Sequence, residues 1–198
     1  MDGPKTAIAS WKTQYYLTVI SEHGDPQGER WYDEGESTQS RVSAEIISEN
    51  EGIRHIFAGW SGDASGKNVS SNPIYMDGPK TAIASWKTQY YLTLISEHGD
   101  PQGERWYDAG STATFSVTSP VGMGIQHVFD RWTGDSTSTT PAASILMDGR
   151  KTVRAVWRID YTQIIIGAGL VGSITVALGF RLMKKRLAPK LPKPSAPV

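Results

Sequence analysis

The chain contains no cysteine, and this absence removes several kinds of chemistry. Without thiols the protein has no disulfide bridge, no cysteine nucleophile and no cysteine-ligated zinc or iron–sulfur centre. The sequence also lacks the GxSxG nucleophile turn, and its four histidines occupy duplicated positions: His23 with His98, and His55 with His127. Because a hydrolytic triad needs Ser, His and an acid that converge on one site, we expect structural histidines, no enzymatic activity and no cofactor.

Basic residues are scarce in the first 160 positions, which hold 14 Lys+Arg against 20 Asp+Glu. An acidic body of this kind argues against nucleic acid as a partner, because phosphate contacts require clustered Lys and Arg. The six remaining basic residues all follow position 180, with no acid among them. This asymmetry predicts that the two parts of the chain meet different environments.

Charged residues are absent from YTQIIIGAGLVGSITVALGF at 161–180. As a helix this stretch would be about 30 Å long, which is the thickness of a bilayer core. We therefore predict a transmembrane helix over 161–183, followed by a basic, Pro-rich tail over 184–198. By the positive-inside rule this tail is cytoplasmic. The residues that carry this topology signal are Arg181, Lys184, Lys185 and Arg186.

Small residues recur four positions apart within the predicted span. They are Ala168, Gly169, Gly172, Ser173 and Ala177. Such spacing lets two helices approach closely and predicts a homodimer formed through the membrane helix. The alternative is that Gly and Ala are simply common in membrane helices.

An internal repeat organises the rest of the chain. The stretch MDGPKTAIASWKTQYYLT begins at Met1 and again at Met76, and a looser copy, MDGRKTVRAVWRIDYT, begins at Met147. All seven tryptophans follow the same pattern. We define unit one as 15–89 and unit two as 90–160, and we expect residues 1–14 to be the truncated end of an upstream repeat in a longer protein.

Strand signals dominate both units. YYLTVIS is rich in β-branched and aromatic residues and precedes the turn EHGDPQG, while ATFSVTS alternates apolar and polar side chains. The window RVSAEIISENE at 41–51 is helix-like. We predict a mainly β fold, with two tandem small β-rich modules of five or six short strands each, followed by the transmembrane helix. The tight connection WKTQYY predicts a stiff rod.

The motifs YxLTV, WYDxG, FxGWSGD and MDGPKTAxAxW resemble the tandem surface repeats of archaeal and bacterial extracellular proteins. They are loosely similar to the internalin B-repeat and "bacterial repeat" families. The resemblance covers residues 1 to about 158. It implies small, mostly β modules on secreted or cell-wall proteins, often near a C-terminal membrane anchor, and it supplies no catalytic residues.

Paired aromatic residues are the candidate contact sites for a glycan or a protein partner. They are Trp31, Tyr32, Trp106 and Tyr107. Adjacent strand residues face opposite sides, so one member of each pair could be exposed and stack on sugars. Packing against the neighbouring unit is the stronger interpretation of these pairs.

Two polar features complete the inventory of candidate sites. Carboxylates in the GDPQGE, SGD and TGD turns match no calcium-binding loop spacing, so they are expected to form turns rather than a metal site. Asn68-Val69-Ser70 is a glycosylation sequon in a polar loop, which would make the protein a glycoprotein.

Together these features predict a single-pass protein of the cell membrane, with extracellular repeats and a cytoplasmic C-terminus. Its role would be that of a structural stalk or an envelope component. Its partners would be the lipid bilayer and other surface proteins or glycans. Two alternatives stay open: an adhesin whose repeats bind glycan or protein, and the membrane-anchoring C-terminal part of a larger extracellular enzyme such as a protease.

Overall fold

A computed structural model describes residues 2–162 of the chain, and the fold over this range is mainly β, as the sequence predicts. Twelve strands follow in chain order. The strands are β1 Gln14–Ile20, β2 Arg30–Asp33, β3 Ser37–Thr38, β4 Ile46–Asn50, β5 Ile53–Gly62, β6 Ile74–Tyr75, β7 Lys80–Ile95, β8 Arg105–Asp108, β9 Thr112–Ser116, β10 Gln126–Gly134, β11 Ala142–Leu146 and β12 Lys151–Asp160.

The longest strand, β7, belongs to both repeat units. It has 16 residues, and the boundary predicted between positions 89 and 90 falls inside it. Its first half pairs with β1 (parallel) and with β5 (antiparallel). Its second half pairs with β8 (antiparallel) and with β12 (parallel). One continuous backbone therefore closes unit one and opens unit two.

The part of β7 that pairs with unit one and the part that pairs with unit two overlap at the junction. Gln89 and Tyr90 are level with Arg54 and Ile53 of β5 on one side. The same two residues are level with the β8 residues Asp108 and Tyr107 on the other side. Strands from both units thus flank β7 at the junction, so that neither edge of β7 is free there.

The register between parallel strands sets the offset, along the strand direction, between equivalent residues of successive units. Leu17 is three residues after Gln14 and is level with Lys80, and Gln89 is nine residues after Lys80. In unit two, Leu92 is three residues after Gln89 and is level with Lys151, and Asp160 is nine residues after Lys151. Both units therefore advance by the same twelve strand residues, which corresponds to about 40 Å at the usual rise of a strand.

Two hydrophobic cores occupy the interior, one for each unit, and most of their members occupy equivalent positions. Core one comprises Leu17, Val19, Tyr32, Val42, Phe57, Trp60, Ala64, Ile74, Met76, Ala82 and Ala84. Core two comprises Leu92, Leu94, Tyr107, Ala113, Phe115, Val117, Phe129, Trp132, Met147, Val153 and Ala155. A two-stranded sheet covers each core, formed by β3 with β6 in unit one and by β9 with β11 in unit two.

Aromatic side chains provide much of the bulk in these small cores. Trp132 is completely buried, and its ring packs edge-on against Phe115 with 4.9 Å between the ring centroids. Its indole N–H donates to the carbonyl of Thr140 at 3.1 Å, just as Trp60 donates to Asn68 in unit one. Each indole is thus buried with its one polar group satisfied.

The helix-like window at 41–51 does not form a helix. Residues Ile46–Asn50 form β4 instead, which pairs with β5 in antiparallel fashion. A helix of this length is marginal in water, whereas pairing with β5 satisfies the backbone along one edge of the segment. The helix-like composition of this window therefore does not decide its structure, because pairing with β5 outweighs the local propensity, and the segment agrees with the predicted mainly β fold.

The N-terminal segment precedes the first strand. Residues 2–13 have no regular secondary structure, and each of them is exposed. Within residues 2–162, none of the helical structure is long and apolar enough to cross a membrane. The helix predicted over 161–183, its small residues from Ala168 to Ala177 and its basic signal from Arg181 to Arg186 fall almost entirely outside the described residues.

Candidate functional site

The first aromatic pair, Trp31 and Tyr32, lies on β2 and divides between the two faces of the sheet. Trp31 is 62% exposed, whereas Tyr32 is only 3% exposed. The Tyr32 hydroxyl donates to the carbonyl of Gly28 at 2.8 Å. Trp31 packs edge-on against Tyr16, with 5.3 Å between ring centroids. Trp31 is therefore the member of this pair that could meet a ligand.

The equivalent pair, Trp106 and Tyr107, lies on β8 and differs in one respect. Tyr107 is buried like Tyr32, but Trp106 is half-buried rather than exposed. The guanidinium carbon of Arg54, from unit one, lies 4.4 Å from the Trp106 ring centroid. This cation–π contact covers the Trp106 face, so Trp106 packs against the neighbouring unit, while Tyr107 belongs to the core of its own unit.

A row of polar side chains crosses β7 beside this contact. The Arg54 Nε donates to Gln89 Oε1 at 2.9 Å, and Gln89 Nε2 donates to Asp108 Oδ1 at 2.6 Å. Three adjacent strands from both units are thus joined through their side chains as well as their backbones. Unit one repeats the second of these bonds, from Gln14 Nε2 to Asp33 Oδ1, at 3.0 Å.

The turn between β4 and β5 forms a second contact with unit two. The Tyr91 N–H donates to the Gly52 carbonyl at 3.0 Å, and an Arg150 guanidinium nitrogen lies 3.3 Å from the Glu51 carbonyl. Gly52 adopts φ +83, and a Cβ there would approach the Arg150 side chain to 3.2 Å. The unit junction therefore consists of Arg54, Trp106 and Gln89 together with this turn.

Of the junction residues, the sequence singled out only Trp106, for which packing against the neighbouring unit was the stronger interpretation, whereas Arg54 and Gln89 were not predicted. A usable signal was nevertheless present, because Gln89 and Asp108 repeat Gln14 and Asp33 within the duplicated block, whereas Arg54 has Gln126 at its equivalent position. A difference inside an otherwise repeated framework marks the place where one unit meets something that the other does not.

Two glutamates perform the same structural role in the two units. Glu29 Oε2 accepts from the Val19 N–H at 2.9 Å, and Glu29 Oε1 accepts from the Tyr16 hydroxyl at 3.1 Å. This hydrogen bond from Tyr16 to the carboxylate raises the pKa of Tyr16 above its usual value, with burial as a smaller cause. Glu104 repeats the arrangement with Leu94 and Tyr91.

The acidic turns also have structural explanations. Asp25 and Asp100 adopt positive φ angles of 43 and 47, as turn residues do. Asp63 and Asp135 accept the backbone N–H groups of Thr81 and Thr152 at 2.7 and 2.6 Å. Over the described range, 2–162, no cluster of His, Cys, Asp and Glu is suited to hold a metal ion.

The histidines pair within each unit as stacked rings. His23 lies 3.7 Å from His55 between ring centroids, and His98 lies 3.8 Å from His127. His55 is buried, with its Nδ1 at 3.2 Å from Thr88 Oγ1 and its Nε2 at 3.0 Å from Glu49 Oε2. These contacts account for the duplicated histidines as packing residues.

Asn68 lies in the loop between β5 and β6. Its side chain is exposed, while its backbone carbonyl accepts the Trp60 indole N–H. A sugar on the amide nitrogen would therefore extend into solvent without displacing the core. The geometry is compatible with the predicted modification.

Two shallow grooves occupy equivalent places on the surface. The groove in unit two measures about 640 Å³ and is lined by Gln102, Glu104, Arg105 and the facing ends of β9 and β11. Its counterpart in unit one measures about 380 Å³. Neither groove is lined by Trp31 or Trp106, so the exposed aromatic face of Trp31 stands on the open sheet surface.

Comparison of the chain with protein-family models, with curated proteins and with solved structures finds no match.

Proposed function

We propose that the protein is a membrane-anchored surface protein whose β-rich modules form a stiff stalk or a component of a cell envelope. The observation that carries this proposal is the single strand β7, which belongs to both modules. A flexible linker between the modules would let each reorient independently, whereas a continuous strand paired on both edges resists bending at the junction.

The contacts around β7 support stiffness further. Arg54 stacks on Trp106, the Arg54–Gln89–Asp108 row joins three strands, and the Gly52 carbonyl accepts a hydrogen bond from unit two. Each contact is small by itself, at about 0.5–1.5 kcal/mol for a typical hydrogen bond. Acting on both sides of one strand, they oppose rotation about more than one axis.

The membrane anchor is proposed from the charge-free stretch after Tyr161 and from the basic residues that follow it. In this proposal the repeats are extracellular, the C-terminus is cytoplasmic, and each module adds about 40 Å along the strand direction. A stalk of this kind holds surface groups away from the bilayer. The bilayer is then the first partner, with other surface proteins as neighbours.

The stalk proposal is tested by a distance measurement on the full chain. Because the protein lacks cysteine, two spin labels can be placed at Ser37→Cys and Thr112→Cys, which are exposed and occupy equivalent positions of the two modules. We expect one narrow distance distribution centred near 40 Å. A broad distribution would exclude a stiff stalk, and complete extraction of the chain from membranes by alkaline carbonate would exclude the anchor.

A second function is favoured by one observation, the exposed ring of Trp31. An open aromatic face beside Tyr16 is suited to stacking against a sugar, which makes an adhesin the second candidate. The test compares Trp31→Ala with Trp106→Ala, whose ring is already covered by Arg54. Loss of glycan-array binding only in Trp31→Ala would support the adhesin, whereas an array without hits for the unaltered chain would exclude glycan binding.

A further inference from the structure

The turn before β10 in unit two stands at the position of the turn before β5 in unit one. Gly52 and Gly124 mark the equivalence, with φ +83 and φ +79, and each is followed by an isoleucine that leads into the strand. The residues that precede these glycines differ in character. Glu49-Asn50-Glu51 in unit one corresponds to Val121-Gly122-Met123 in unit two.

In unit one this turn packs against unit two. Its Gly52 carbonyl accepts from Tyr91, its Glu51 carbonyl lies against Arg150, and the adjacent Arg54 covers Trp106. All of these contacts are polar or involve a cation. The turn therefore forms a contact between unit one and unit two.

In unit two the same turn is apolar and exposed. Met123 is 98% exposed and Ile125 is 48% exposed. The acidic residues of the unit-one turn are absent, and Gln126 replaces the arginine that stacks on Trp106 in the unit junction. Covering this methionine, at a position that is acidic in the other unit, with an apolar surface would remove nonpolar area from water and would therefore be favourable.

The ladder of β10 and β12 places this turn beside the last described residues. Gln126 is level with Asp160, so Ile125 and Tyr161 emerge at the same end of the sheet. Ile159 and Tyr161 are 51% and 52% exposed there. With Met123 and Ile125 they form an exposed apolar end of unit two, which we name the distal patch.

The sequence that continues from the distal patch is the charge-free stretch proposed above to cross the membrane. Tyr161 has the amphipathic ring that is enriched at membrane–water interfaces. In unit one the closing strand, β7, continues directly into unit two, which the turn contacts. In unit two the closing strand, β12, leads into the stretch that is proposed to enter the bilayer. The position of the turn beside this stretch and its apolar character both indicate that the lipid bilayer lies against it.

We propose that the distal patch, with Met123 at its tip, rests in the interfacial region of the lipid bilayer and seats the last β unit on the membrane surface. This inference depends on the proposed membrane anchor and adds a second point of contact to it. Two points of contact orient the stalk relative to the membrane, which a single helix connected through one strand end would not do.

The test uses the full chain in vesicles of phosphatidylcholine and phosphatidylglycerol, with single cysteines carrying an environment-sensitive fluorophore. The positions are Met123→Cys, its unit-one equivalent Glu51→Cys and the anchor-proximal Tyr161→Cys. A nitroxide on the upper acyl chain of the lipid quenches only fluorophores that touch the interface. We expect several-fold stronger quenching at 123 than at 51, at a level approaching that at 161.

The outcomes separate the two proposals. Strong quenching at 161 with equal, weak quenching at 123 and 51 would overturn the seating of the distal patch while leaving the anchor intact. Absence of quenching at 161, together with release of the chain by alkaline carbonate, would overturn the anchor and the seating with it. Because Met123 is almost fully exposed, its replacement by cysteine does not disturb the fold.

Discussion

The guanidinium of Arg54, in unit one, stacks at 4.4 Å on the ring of Trp106, in unit two. Trp31, the residue equivalent to Trp106, is 62% exposed. The same tryptophan thus has two surroundings in one molecule. Since residues 30–33 and 105–108 are identical in sequence, the difference arises from what lies next to each unit.

This relationship predicts a measurable coupling at the junction. In a double-mutant cycle of Arg54→Ala and Trp106→Ala, the free energies of unfolding should be non-additive by about 0.5–2 kcal/mol, because a partly desolvated cation–π pair contributes that much. Chemical denaturation of the full chain measures the cycle. The cycle of Arg54→Ala with Trp31→Ala serves as the control and should be additive, and equal coupling in both cycles would contradict the assignment.

Core two predicts a large loss of stability when leucine is shortened there. Leu92 is completely buried, so Leu92→Ala should lower the free energy of unfolding by about 2–5 kcal/mol through lost burial and the cavity left behind. Leu146→Ala makes the same chemical change at a residue that is 53% exposed and should cost about 0.5 kcal/mol or less. Similar losses in the two variants would show that Leu92 is not a core residue.

Gly134 predicts a steric effect that is separable from backbone strain. It adopts φ +89, and a Cβ would lie 2.4 Å from the Thr152 carbonyl oxygen, on the strand that pairs with β10. Gly110 adopts a similar φ of +78 but has open space around its Cβ position. Both alanine variants should lose stability from strain, at about 1 kcal/mol or more.

The contact should make Gly134→Ala the worse of these two variants. Backbone atoms cannot yield as the end of a flexible side chain does, so the β10–β12 ladder must shift. Thermal unfolding and amide exchange at residues 126–134 would measure the difference. Equal destabilisation of the two variants would mean that strain alone accounts for the glycine at 134.

The ion pair of Asp148 with Lys151 predicts a pH dependence. Their charged atoms lie 2.6 Å apart, and the hydrogen bond from Lys151 lowers the pKa of Asp148 below its ordinary value. A lowered carboxyl pKa adds stability above the unfolded pKa of about 3.9, and this stability is lost as the pH falls through the folded value. Stability should therefore decline in the acidic range below about pH 5.

Carboxyl titration by NMR tests this pair directly. Lys151→Met should raise the pKa of Asp148 toward its ordinary value, because the hydrogen-bonding cation is gone. Lys80→Met is the matched control: Lys80 holds Asp77 at 2.7 Å in unit one and lowers the pKa of Asp77 in the same way. It should raise the pKa of Asp77 and leave Asp148 unchanged, and a shift at both carboxyls in either variant would contradict the pairing.

Much of the local structure was predictable because its signals are local. The β-branched and aromatic runs indicated strands, and the alternation of Ala113, Phe115 and Val117 indicated one buried face, on which all three are in fact buried. The repeat predicted which positions would be equivalent. The composition of the segment at 41–51 did not indicate its strand, because β4 depends on pairing with β5, which lies outside the segment.

By itself the sequence determined that the described chain is mainly β, that its positions repeat, and that charge is separated toward one end. Only the tertiary structure decided that β7 runs through the junction, that Arg54 covers Trp106 while Trp31 stays exposed, and that Met123 and Tyr161 emerge at the same end. The physical reason is that these relationships come from strand register between distant segments. Two identical stretches, such as those around Trp31 and Trp106, therefore differ in their surroundings although they do not differ in sequence.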